Sequence, residues 1–417
     1  MIKNLIRLTL ALSILLICLK ISGQSVLNKF DIIGRQKKID IPFQYENHFI
    51  LLRVLLQKSF PLNFIFDTGA ENTLLLKKEY SDLLGLKYDR RIKLLGSDHT
   101  EEMYALITRG IGFSFSPTVS YSQDILVLEQ DFFQLEELTG LYVDGIMSGS
   151  FFKTYITHIN YKSRYLSFIQ PNAFRVSRKY VKVPIELSNG KIYVNATVSI
   201  NNKKIPVKLL VDTGAGLPLL LYTDANPNFA PPEKSIPGKL GKGLGGFLEG
   251  HIGKINELQL ESFKFPNTVT SFQQLDSSVT VQFQDPNQRN FRDGLIGNQL
   301  LNRFDIYIDY QKSIMYMSPI KDLSKEFNVD RSGMDILATG HELKQYIVSS
   351  VLPGSPAAKA GLKKGDFIKK VVGLSSNILS LDQIIAIFSR KGHRKIKVQY
   401  IRDGEIYKTV VELEDLI

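Results

Sequence analysis

Phe64-Ile-Phe-Asp-Thr-Gly-Ala70 recurs as Leu209-Leu-Val-Asp-Thr-Gly-Ala215, which sets Asp67 and Asp212 145 positions apart in matching contexts. One Asp-Thr-Gly is ordinary turn chemistry after a strand. A second copy with the same apolar flank is not explained that way. Two carboxyls brought within a few ångströms cannot both ionise cheaply, so they share a proton and titrate as a pair. One then serves as base and the other as acid toward a water molecule, and neither a metal nor a covalent intermediate is required.

The flanks indicate what positions the two aspartates. Alternating apolar segments, Phe49 to Leu56 and Ile192 to Ile200, lead through a polar turn into the strand that ends at each motif. At nearly equal distances downstream, Asp144-Gly-Ile-Met-Ser148 recurs as Asp293-Gly-Leu-Ile-Gly297. A short apolar helix and a hairpin follow each (Tyr155 to Ile169, Phe304 to Met317). Two homologous β-rich lobes are predicted, at residues 24–175 and 176–320, joined near Gln170 to Ser177. Between the landmarks, lobe one has a hairpin-like stretch, Arg91 to Phe115, turning near Gly96. Lobe two has a glycine-rich stretch, Gly241 to Gly250, that includes Gly243, Gly245 and Gly246. It formally matches G-x-G-x-x-G, but no strand precedes it, no helix follows, and no Lys-Ser/Thr completes a phosphate-binding loop. A mobile loop is the expectation, since glycine permits close backbone approach.

Asp67-Thr-Gly-Ala70, Asp212-Thr-Gly-Ala215 and the two Asp-Gly-apolar-apolar segments together resemble the retropepsin and pepsin superfamily of aspartic proteases, over roughly Phe30 to Pro319. The resemblance implies a mainly β fold in which two homologous retropepsin-like β-barrel lobes form an intramolecular pseudo-dimer. It implies that Asp67 and Asp212 are catalytic: a water between them loses a proton to the ionised carboxylate and attacks a peptide carbonyl, while the protonated carboxyl donates to its oxygen. It further implies that Thr68 and Thr213 hydrogen-bond across the lobe interface, that Gly69 and Gly214 let backbone amides reach the carboxylates, and that the hairpins carrying Gly96, Gly243, Gly245 and Gly246 are flaps that close over substrate. Two departures bear on subsite geometry: Gly216-Leu-Pro218 replaces Glu71-Asn-Thr73, and Gly297 replaces Ser148. Alanine at positions 70 and 215 offers no hydroxyl to the ionised pair, which predicts raised pKa values and an optimum at roughly pH 5 to 6.

After Pro319 the pattern changes. Val351-Leu-Pro-Gly-Ser-Pro-Ala-Ala-Lys-Ala-Gly-Leu-Lys-Lys-Gly-Asp366 closely resembles the core of bacterial PDZ domains, which implies a small α+β domain over residues 330–417. Strands are expected at Asp335 to Ala338 and Tyr346 to Val351, and a helix at Leu381 to Ser389. By resemblance a peptide adds as a strand between the first of these and the helix, and the Arg331-Ser332-Gly333-Met334 loop holds its C-terminal carboxylate.

The N-terminus reads as a secretory signal, with Lys3 and Arg7 before an apolar run from Leu8 to Leu19 and cleavage expected after Gly23. The expected location is periplasmic or secreted, without stable membrane insertion after cleavage. Cys18, the only cysteine, lies inside that leader, so the mature chain would have neither disulfide nor cysteine metal ligand. The net charge of +11 is scattered among acidic residues, and no nucleic-acid partner is indicated. The six histidines include no H-E-x-x-H pair and no G-x-S-x-G elbow occurs, so neither a metal nor another cofactor is called for. The expectation is a monomeric exported aspartic endopeptidase acting on proteins or peptides, its PDZ domain recruiting a substrate or partner. The alternative is a secreted, inactive peptide-binding scaffold that keeps both folds.

Overall fold

The computed structural model describes residues 30–32, 36–95, 102–116, 119–243, 246–275, 291–392 and 394–417. The leader with Cys18, and the loop tips with Gly96 and Gly245, lie outside the described residues. Strands dominate. In the first lobe Phe49–Leu56 and Phe60–Asp67 pair antiparallel through a turn at Gln57 and Lys58, both in the left-handed conformation. In the second lobe Lys191–Ile200 and Lys203–Asp212 do the same through Asn201 and Asn202. Left-handed φ at both central residues gives the turn a twist that matches the strands, and asparagine tolerates it well.

Each lobe closes into a ring of strands in the same order. Phe49–Leu56, Phe60–Asp67, Gly145–Ser148, Leu74–Leu75, Val119–Leu128 and Glu102–Ser116 run round the first lobe and return to Phe49–Leu56. Their counterparts Lys191–Ile200, Lys203–Asp212, Gly294–Gly297, Leu219–Tyr222, Phe263–Gln273 and Gly246–Leu260 run round the second. Each Asp-Gly segment runs parallel to the strand that delivers the aspartate, with Ser148 opposite Asp67 and Gly297 opposite Asp212. Closure leaves few edges and buries alternate side chains inward, including Phe64, Phe66, Phe113, Leu209, Val211 and Phe265.

A third sheet joins the lobes. Its order is Lys38–Pro42, Tyr165–Ile169, Ile156–Asn160, Phe304–Asp309, Ile314–Pro319, Val181–Pro184, and its central pairing is between the hairpins that follow the two Asp-Gly segments. One continuous apolar core runs through both lobes and this sheet. His158 and Asp305 meet at 2.6 Å across the central pairing, and Tyr180 Oη donates to the other oxygen of Asp305 at 2.7 Å.

The C-terminal unit has its own core, built on Met334, Ile336, Tyr346, Ile368, Leu381, Ile384 and Phe388. Its sheet runs Met334–Thr339, Gln345–Val351, Phe367–Val371, Lys395–Arg402, Glu405–Glu412. Helix Leu381–Phe388 starts in a capping box between Ser380 and Gln383. The unit is tied to the lobes at several places. Phe327 and the terminal Ile417 are buried in the core of the lobes, and Lys254 Nζ donates to Ile417 O at 3.1 Å. Helix Leu135–Thr139 of lobe one lies along strand Met334–Thr339, and Tyr142 Oη donates to His341 O at 2.7 Å.

Candidate active site

Each motif aspartate is held by the turn it opens. Asp67 Oδ1 accepts from Gly69 N at 2.6 Å and Ala70 N at 3.0 Å, and Asp212 Oδ1 accepts from Gly214 N at 2.8 Å. The turns are fixed in turn by the Asp-Gly segments. Asp144 Oδ2 accepts from Asn63 N and Asp293 Oδ2 from Lys208 N, each clamping the strand that delivers its aspartate. The glycine after each clamp is required by space. A Cβ on Gly145 would lie 2.1 Å from the Phe64 ring, and one on Gly294 would lie 1.9 Å from Leu220 O.

The two loops meet face to face. Thr68 N donates to Thr213 Oγ1 and Thr213 N to Thr68 Oγ1, both at 3.1 Å, while the hydroxyls donate to Val211 O at 2.7 Å and Phe66 O at 2.8 Å. All four threonine groups are thereby satisfied in a buried interface. The grip places each glycine against the opposite carboxyl: a Cβ on Gly69 would lie 2.7 Å from Asp212 Cγ, and one on Gly214 would lie 2.4 Å from Asp67 Cγ. Asp67 and Asp212 lie close enough to titrate as a pair. Burial pushes both carboxyls up, Asp67 well above the usual range with the charge on Asp212 adding to the effect. The pair differs in its surroundings. Arg292 lies close enough to Asp212 to favour its ionised form.

Arg292 is a participant that motif reading passed over. Half-buried, it donates from Nε and Nη2 to Tyr222 Oη at 3.3 and 3.1 Å, and it precedes the clamp Asp293 where lobe one has Val143 before Asp144. That difference between the copies was readable in the sequence. Lys191 also feels both carboxyls, and burial and Arg292 hold its ammonium below the usual range. A polar clamp between the lobes was not foreseen either: Asn298 Nδ2 donates to His48 O at 2.7 Å, and Tyr161 Oη donates to Asn298 Oδ1.

The departures between copies have a local cause. Ser148 Oγ donates to Ala70 O at 2.7 Å, whereas a side chain at Gly297 would collide with Leu217 O at 2.2 Å. Leu217 and Pro218 bring the second loop closer to its Asp-Gly strand, so only glycine fits.

A cavity of ≈ 600 Å³ opens on the pair, lined by both aspartates, by His48, Phe49, Phe133 and Leu138 of lobe one, and by Leu217 and Leu220 of lobe two. Of the expected flap residues, Gly243 and Gly246 stand opposite each other near the end of the hairpin Ile236–Gly243 and Gly246–Leu260. Lys239, Leu240, Gly241 and Leu248 of that hairpin line the cavity. No described residue of the lobe-one hairpin Tyr88–Leu95 and Glu102–Ser116 does so.

The Arg331–Met334 loop differs from the sequence expectation. Its four amides are already engaged: Arg331 N donates to Phe388 O, Ser332 N and Gly333 N to Asp330 Oδ2, and Met334 N to Ser332 Oγ. The expected carboxylate-holding amides are not free, two of them being held by the side chain of Asp330. No group of His, Cys, Asp and Glu among the described residues is arranged to hold a metal ion.

Comparison with known proteins agrees with this architecture. Residues 196–300, which take in the second Asp-Thr-Gly loop and the second Asp-Gly segment, match the family model described as aspartyl protease. Residues 347–402 match the PDZ domain. A stretch of 89 residues is 35% identical to a protein of Staphylococcus haemolyticus (strain JCSC1435) named "Probable CtpA-like serine protease". That stretch is 20% of this chain and spans only 18% of the relative.

Proposed function

We propose that the chain is an aspartic endopeptidase in which Asp212 is the base and Asp67 the acid. The observation that carries this reading is the cross-lobe threonine grip, which holds two half-buried carboxyls side by side in a cavity open to substrate. A water between them passes a proton to Asp212 and attacks the peptide carbonyl, while Asp67 donates to the carbonyl oxygen. The tetrahedral intermediate collapses as the leaving amine takes up a proton and the starting protonation is restored. Gly69 N, Ala70 N and Gly214 N fix the carboxyl orientations, so little reorganisation is needed during the reaction.

The compartment belongs to the same reading: a leader before residue 24 suits an exported enzyme working as a monomer on proteins or peptides outside the cytoplasm. Digestion of a denatured protein tests the chemistry. An aspartic-protease inhibitor abolishes cleavage, whereas a serine-reactive fluorophosphonate and a chelator leave it intact. Inhibition by the fluorophosphonate alone points to a serine nucleophile, and loss with the chelator reversed by zinc points to metal chemistry.

A further inference from the structure

The cavity at the aspartate pair does not end within the lobes. Its wall continues onto the PDZ domain through Met334, Ile336, Ile385 and Phe388, the residues between which an added peptide strand would lie. Strand Met334–Thr339 is an edge of its sheet, and helix Leu381–Phe388 faces it across the groove. Lobe one closes the far end: Gly140 sits so near the helix start that a Cβ there would be 2.9 Å from Leu381 Cβ, and Ala338 lies just beyond. The remaining space is continuous with the cavity at Asp67 and Asp212.

Its charge is uneven. Besides the aspartate pair, Asp330, Asp335 and Asp382 line the cavity, all three from the PDZ side. Lys239, on the lobe-two hairpin, is the one lysine or arginine among the lining residues described, and His48 lies on the lobe-one side. A free C-terminal carboxylate entering here would meet like charge and a loop whose amides are already taken. A long side chain with an apolar stem and a cationic head matches both the apolar walls and the acidic rim.

We propose that this pocket is a specificity site for a lysine or arginine side chain of the same polypeptide that is cut, not a trap for the C-terminus of a separate ligand. The inference rests on the peptidase reading for its setting, but the pocket can be tested without turnover.

The experiment scans Lys, Arg, Leu and Glu through successive positions of a peptide library and measures kcat/KM with the full-length protein. At one position Lys and Arg exceed Glu by roughly tenfold or more, the size expected when a like-charge contact is replaced by an opposite one. Asp382→Lys inverts that ratio at the same position, and Asp382→Asn reduces it toward unity should the lysine variant fold poorly. Glu405→Lys on the outermost strand of the PDZ sheet makes the same charge change and leaves the ratio as it was. Binding of the Lys and Glu peptides to the Asp67→Asn protein, read by fluorescence anisotropy, gives the same order. A library profile unchanged in both Asp382 variants, or a wild-type preference for Glu or for a free carboxylate over its amide, overturns the inference. Absence of cleavage together with the Lys-over-Glu binding order and its inversion overturns only the peptidase reading and leaves the pocket standing.

Discussion

Thr68 and Thr213 hold the chemistry together more than any other pair of side chains. Each hydroxyl accepts one amide and donates to one carbonyl across a buried interface. Thr68→Val keeps the volume but strands Thr213 N and Val211 O. It is expected to cost about 1–3 kcal/mol, measured by denaturant melts, whereas Thr68→Ser stays near wild type. The charge on the aspartate pair gives a second prediction. In the proposed mechanism the active form holds one proton, and burial raises both carboxyls, so at strongly acidic pH both are protonated and no base remains. The optimum therefore lies at mildly acidic pH, and a kcat/KM profile peaking below about pH 3 contradicts it. Arg292 favours ionised Asp212. Removing its charge with Arg292→Gln lets Asp212 keep its proton to higher pH, so the acid limb of the profile moves up. An acid limb that stays in place, or moves down, removes Arg292 from the account.

At the scale of elements, the internal repeat made much of the fold legible. The paired strands, the Asp-Gly segments beside them and the following hairpins all stand where the two copies put them, because alternation and turn chemistry are local signals. What stayed hidden depends on long-range apposition. The two hairpins pair with each other to form the joining sheet, and nothing in either hairpin alone specifies its partner. Helix Leu135–Thr139 was invisible for the same reason, since it acquires its role from the distant strand Met334–Thr339. The Arg331–Met334 loop is the opposite case: Asp330 and Ser332, its own neighbours in sequence, take three of its four amides, a local turn signal that the resemblance overrode. The Asp-Gly pairs are the converse case, a short motif with a steric demand. Gly145→Ala and Gly294→Ala drive a methyl into Phe64 and Leu220 O respectively, and each is expected to cost at least about 1–3 kcal/mol in denaturant melts. A substitution tolerated without loss at both positions would mean that the strands are not as close as described.

At the scale of the molecule, the PDZ domain and the lobes are interlocked. Ile417 and Phe327 lie in the core of the lobes, Tyr142 Oη donates to His341 O at 2.7 Å, and the wall of the cavity at the aspartate pair continues onto the PDZ groove. Deleting residues 330–417 therefore lowers Tm and reduces cleavage of short and long peptides alike. A KM increase confined to long substrates, with short ones cut at the wild-type rate, would describe a tethered capture module instead. The central claim is that Asp67 and Asp212 act as one acid–base unit, and it is tested most directly by measuring kcat/KM for Asp67→Asn and Asp212→Asn on one denatured substrate, after circular dichroism and melting confirm that both remain folded. The account predicts that each substitution alone lowers kcat/KM by at least about 10²-fold, since each removes half of a shared proton system. Near wild-type turnover by either variant would contradict it.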